Sequence, residues 1–172
     1  VGLIREDCTG YENCYNSLYE WEDTFGGVEF TRGTQVCPKG DLVCIEKIAV
    51  AKIDGKWKNA DIKHLNITGW RTSSDYHIKI YTTPEARHKG VWDNSKYRLE
   101  VSYGSPITVE EPYVRIEGIQ IYLNHNESES AGIMLNVSEY SDTRISHNLI
   151  KGTGKSMGKG SAGVASFTNT GY

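Results

Sequence analysis

The feature that most constrains this chain is a recurrence in its second half. Residues 114–121 return as residues 143–150, about 29 positions later, with Ile116 and Ile121 replaced in step by Ile145 and Ile150. Ala131-Gly132-Ile133 returns as Ala162-Gly163-Val164, about 31 positions later. Two separate pairs with nearly one period describe short units that cannot bury a hydrophobic face alone and must stack on their neighbours. A period near 30 suits three short strands and their bends, and so predicts stacked coils joined by parallel pairing.

The chain between residue 42 and the recurrence reads the same way. Short segments of β-branched and aromatic residues, each closed by Gly, Asn, Asp or Ser, cover residues 42–50, 65–68, 77–81, 97–101 and 107–109. The recurring half adds 113–121, 132–135, 143–150 and 163–167. Alternation places Ile116, Ile121, Ile133, Leu135, Ile145, Ile150 and Val164 inward. The first 41 residues differ. Ser17 and Glu20 stand in capping-box relation, and Leu18, Trp21 and Phe25 share one face, which predicts a short helix stopped by Gly26-Gly27 and followed by a strand from Val28. The predicted organisation is a cap over residues 1–41 and coils over 42–172.

The stretches 107–121 and 143–154 resemble the coils of right-handed parallel β-helix proteins, the pectate-lyase-like superfamily, and the resemblance extends over roughly residues 42–172. It implies an all-β solenoid, with the helix at Ser17 as the amphipathic cap such solenoids commonly carry. It implies little about activity, because a fold hosts many functions.

Compartment is read from two signals. Cys8, Cys14, Cys37 and Cys44 all lie in the first quarter of the chain, an even and clustered set that suits a disulfide-bonded segment in an oxidising environment. Three pairings are possible. A zinc site fits less well, since the intervals within the set are longer than the usual Cys-x2-4-Cys. Asn66, Asn126 and Asn136 each begin a glycosylation sequon. Together these features predict a secreted or cell-surface glycoprotein, and the start at Val1 reads as a processed N-terminus.

Charge narrows the partners. Nineteen Lys and Arg against 22 Asp and Glu give a net charge of -3, with no basic footprint for nucleic acid. No apolar run reaches the roughly 20 residues that span a bilayer.

The superfamily's polysaccharide-cleaving members work on one outer face with acidic and basic residues. Here that face offers Arg115, Asp142, Arg144, His147 and Lys151 as the candidate catalytic set, with calcium as the cofactor that the lyase alternative allows. The paired-aspartate motif of galacturonan hydrolases does not occur, so the preferred reading of these five is a solvated outer face and no enzyme. Other constellations read as structure. Residues 124–130 around His125 read as an exposed loop and not a metal site, and Gly152-Thr-Gly-Lys-Ser156 lacks the first glycine of a phosphate-binding loop. Trp57, Trp70 and Trp92 are read first as core or cap packing, with Trp70 and Trp92 the better exposed candidates for stacking on sugars. The last segment, 162–172, starts a coil without a blunting helix or proline, which would leave an end open to pairing. The leading expectation is therefore a structural protein that self-assembles into a filament or surface layer through its C-terminal coil and N-terminal segment. The alternatives are a polysaccharide lyase or hydrolase module and a carbohydrate-binding adhesion domain. No resident cofactor or metal is expected under the leading reading.

Overall fold

The computed structural model describes residues 1–25, 30–125, 130–138, 141–153 and 162–166. The predicted Gly26-Gly27 helix stop, the strand start at Val28, the Asn126 sequon, Gly154 to Gly160 and residues 167–172 lie outside the described residues.

Alternating apolar residues build short strands throughout, as an extended backbone turns successive side chains to opposite faces. In chain order the elements are β1 (Gly2–Ile4), β2 (Cys14–Tyr15), α1 (Leu18–Phe25), β3 (Phe30–Arg32), β4 (Gln35–Cys37), α2 (Leu42–Ile45), β5 (Ala49–Ile53), β6 (Leu65–Ile67), β7 (Ile78–Thr82) and β8 (Arg98–Val101). They continue with β9 (Ile107–Val109), β10 (Val114–Glu117), β11 (Gln120–Leu123), β12 (Ala131–Leu135), β13 (Arg144–Ser146), β14 (Leu149–Gly152) and β15 (Ala162–Ser166). Three parallel sheets result, ordered β13-β10-β7-β5-β1-β2, β15-β12-β9-β6 and β14-β11-β8, beside an antiparallel hairpin of β3 and β4. The predicted recurrence is real register: Arg115 lies opposite Arg144, Ile116 opposite Ile145, and Ala131 opposite Ala162.

The structure corrects the expected fold class. In place of one right-handed β-helix with a constant coil, the strands form separate sheets of six, four and three strands, with the hairpin and two helices added. The physical reason is unequal spacing. Leu65 lies opposite Ile107, Ile107 opposite Ile133, and Leu99 opposite Ile121, so the period near 30 belongs to part of the chain only. Long excursions over residues 54–64 and 83–97 carry their own buried groups, Trp57, Ala86 and Tyr97, and break any fixed repeat.

The segment 42–50 is also corrected. It begins as α2, because the Asp41 carboxylate accepts the Cys44 N–H at 2.8 Å and caps the turn, while Glu46 at φ 53 ends it. A strand starts only at Ala49. The disulfides are Cys8–Cys14 and Cys37–Cys44, so each closes a short local loop.

One apolar cluster fills the interior between the sheets. The six-stranded sheet contributes Ile53, Ile80 and Ile116, the three-stranded sheet Leu99 and Ile121, and the four-stranded sheet Ile67, Ile107 and Ile133, all fully buried. Of the predicted inward residues, Leu135, Ile145 and Ile150 are partly buried, and Val164 is corrected to exposed at 43%. Helix α1 packs against β6 and β1, burying Leu18 and Trp21. Ser17 Oγ accepts the Glu20 N–H at 3.1 Å, as a capping box requires, while the Glu20 carboxylate reaches one residue further back, to the Asn16 N–H at 3.1 Å.

Candidate functional site

The alternation that buries Ile78, Ile80, Val114 and Ile116 turns their neighbours outward on the six-stranded sheet. Register then aligns one row of Val50, Lys79, Arg115 and Arg144, and a second of Lys52, Tyr81, Glu117 and Ser146. Adjacent strands lie about 4.8 Å apart, so Lys79, Arg115 and Arg144 form a ladder of cations at that spacing.

Asp142 sets the geometry at the outer end. Its carboxylate accepts two bonds from Arg144 Nε, at 2.9 and 3.1 Å, and one from Arg144 Nη2 at 2.7 Å, while Arg115 Nη2 stands 3.9 Å away. The Arg144 hydrogen bonds hold the Asp142 carboxyl below the usual carboxylate range, with Arg115 and His77 adding in the same direction. The His77 imidazole joins from the turn before β7. Burial pushes its pKa down, and the charges of Arg115, Lys79 and Arg144 push it further the same way. Three polar atoms here, His77 Nδ1, Arg115 Nε and Thr143 Oγ1, are shielded from solvent and have no hydrogen-bond partner among the described residues.

The five residues singled out in the sequence do not form one site. Arg115, Asp142 and Arg144 come together. His147, at φ 55 in the turn after β13, instead accepts a 2.8 Å bond from His88 Nε2 at its carbonyl. Lys151 lies on the three-stranded sheet, its ammonium 3.7 Å from the Trp92 ring centre and 4.4 Å from that of Tyr122. Beside the ladder, Glu117 pairs with Arg87 at 2.8 Å, which holds its carboxyl low.

Sequence reasoning missed His77 and Lys79. Their signal was present, since Lys79 holds an alternating outward position in residues 77–81, but that segment had not been aligned with 114–121. The first reading of the tryptophans as core or cap packing holds for Trp57 and Trp70, whereas the exposed reading of His125 does not hold. Trp70 is 4% exposed and not a surface candidate: it stacks on Trp21 at 6.0 Å and donates Nε1 to Glu22 at 3.1 Å. Trp57 is buried as core, and Trp92 is half-buried. His125 is 8% exposed, with Nε2 2.8 Å from the Gly104 carbonyl, so this part of the predicted loop is packed and not open. Asn66 and Asn136 are both exposed.

Among the described residues no cluster of three or more His, Cys, Asp or Glu has metal-binding geometry. No helix among them is long and apolar enough to cross a membrane. The two disulfides fit an oxidising, extracellular setting. Comparison with protein-family models, with curated proteins and with solved structures finds no match to this chain.

Proposed function

We propose that the protein binds an acidic polysaccharide, without cleaving it, along the outer face of the six-stranded sheet. The observation that carries this reading is the aligned ladder of Lys79, Arg115 and Arg144. With Lys52 and Arg87 beside them, five cations face two anions, Asp142 and Glu117, on a chain whose net charge is -3. A local excess of one sign on an oppositely charged molecule raises the concentration of a complementary polymer at that face. A polyuronate carries one carboxylate on each sugar and repeats on a length comparable to one strand spacing, so successive carboxylates meet successive cations. Asp142 orients Arg144 by bidentate pairing and holds Arg115 Nη2 at 3.9 Å by charge, leaving Arg144 Nη1 to a ligand. Its depressed pKa keeps it ionised, which suits a positioning group and not a proton donor.

The test is binding of polygalacturonate and of neutral dextran to the full chain at low and high salt. Polygalacturonate is expected to bind, with affinity falling as salt screens the ladder, and Arg144→Gln is expected to weaken it about tenfold. Equal binding of dextran, or unchanged affinity in a Lys79→Gln/Arg144→Gln double variant, would remove the reading. Release of unsaturated uronide ends during the same incubation would replace binding with lyase cleavage.

A second reading, self-association, is favoured by one observation. Among the described residues β13, β14 and β15 are the outermost strands of their sheets, and exposure rises from 0% at Ile116, Ile121 and Ile133 to 43% at Val164, with Ile145 and Ile150 only partly covered. Open strand edges of this kind can pair with another copy. Sedimentation showing a monomer at every concentration would dismiss it.

A further inference from the structure

The two excursions that interrupt the strands meet on another side of the molecule, and between them lies a cleft of about 600 Å³. Its lining includes Lys56, Lys58, Lys96, Glu85, Asn94 and Trp57. A second hollow of about 230 Å³ adjoins it and shares Lys56 and Glu85, adding Arg5, Glu6 and Asp7.

We propose that this cleft is a binding site for a small acidic sugar, a hydroxyl-rich ligand of one or two rings bearing a carboxylate. Three arguments lead there. The first is size, since clefts of 300–1,000 Å³ are the usual range for small-molecule sites. The second is chemistry. Three ammonium groups outnumber the one carboxylate of the larger cleft, which favours an anion. Glu85 supplies acceptors for hydroxyl groups, while Asn94, whose Oδ1 already accepts the Trp92 indole N–H at 2.8 Å, offers its amide N–H groups. Trp57 is 2% exposed and holds its ring edge-on to Tyr97 at 4.8 Å, so it offers no open face on which a nucleobase would stack. That separates a sugar from a nucleotide.

The third argument is that the walls are fixed in advance. Arg98 holds both excursions at once, donating to the Asn94 carbonyl at 2.6 Å and to the Lys58 carbonyl at 3.2 Å. Glu6 binds the N–H groups of Lys58 and Asn59, and the Asn59 amide at 2.6 Å. Lys96 Nζ donates to the Glu85 carbonyl at 2.6 Å, and the Trp57 N–H reaches the Ser95 carbonyl at 3.4 Å. A cleft whose walls are already tied loses little conformational freedom when it closes on a ligand. Lys56 and Lys58 remain exposed at its rim, where an arriving carboxylate meets them first.

This inference is independent of the cation ladder. The experiment is titration of the full chain with glucuronate, glucose and inorganic phosphate, followed by amide chemical shifts. Glucuronate is expected to shift the amides of residues 56–58 and 94–96, and Lys56→Gln/Lys58→Gln is expected to weaken it at least tenfold. Arg144→Gln should leave this binding unchanged. Glucose is expected to bind at least tenfold more weakly than glucuronate. Phosphate binding as tightly as glucuronate would overturn the sugar assignment. Shifts elsewhere, or none with any ligand, would overturn the site. Both lysines are exposed and their side chains hold no wall together, so a folded double variant with unchanged affinity is equally decisive against it.

Discussion

Replacing Asp61 with alanine is expected to destabilise the fold by about 4 kcal/mol, read as a lower urea midpoint with an unchanged slope. Asp61 is 4% exposed and ties three separate segments together. Its Oδ2 accepts the Leu18 N–H of α1 and the Tyr97 hydroxyl, both at 3.0 Å, and its Oδ1 accepts the Lys63 N–H at 3.1 Å. Truncation leaves these donors without an acceptor in a dry environment, and each such loss costs about 1–3 kcal/mol. The result also carries a pH signature. Burial raises the Asp61 pKa above its unfolded value, against the lowering effect of the three donors. A carboxyl raised in the folded state contributes stability that is complete below the unfolded pKa and lost as pH rises through the folded one. The stability advantage of wild type over Asp61→Asn, which stays neutral, is therefore expected to grow as pH falls. An advantage that shrinks on acidification would show that the three donors outweigh burial.

The second large effect is expected from Gly40→Ala, about 3 kcal/mol, or a fall of about 10 °C in Tm. Gly40 sits at φ +70, where an L-residue costs about 1–2 kcal/mol. A β-carbon there would also stand 2.6 Å from the Gly69 carbonyl oxygen and 3.4 Å from the Trp70 α-carbon. Both neighbours are backbone, so neither can swing aside. The same backbone approach lets the Arg71 N–H reach the Gly40 carbonyl at 3.0 Å and sets Asp41 beside Arg71. Gly10→Ala is the control: φ is +80, yet nothing lies within 4 Å of the added carbon. It should cost about 1 kcal/mol. Equal losses at the two positions would show that the backbone contact contributes nothing.

Both effects depend on neighbours distant in the chain, and the same division runs through the whole protein. Local chemistry was readable where a pattern repeats within a few residues. Alternation announced β10 and the outward setting of Arg115. The spacing of Leu18, Trp21 and Phe25 announced α1, and the recurrence at 114–121 and 143–150 announced the pairing of Arg115 with Arg144. The number and clustering of cysteines suggested disulfides, but their partners emerged only when the β4 strand and the α2 turn brought Cys37 to Cys44.

The rest was decided by tertiary structure because it depends on how many residues separate paired strands, and that interval is not constant. Extending one period over the whole chain therefore misjudged the architecture. His77 acts on the charge of Asp142 because β7 and β13 flank β10, and Arg98 ties together two excursions of unequal length. Trp70 at the end of a strand was readable as packing without any sign of what it packs on; its cover came from a helix more than forty residues earlier in the chain, whose Trp21 and Glu22 meet its ring and its indole N–H. Sequence by itself determined which faces are apolar and which residues point outward, since those follow from backbone periodicity. Folding alone determined which outward residues became neighbours, since that follows from long-range hydrogen-bond register.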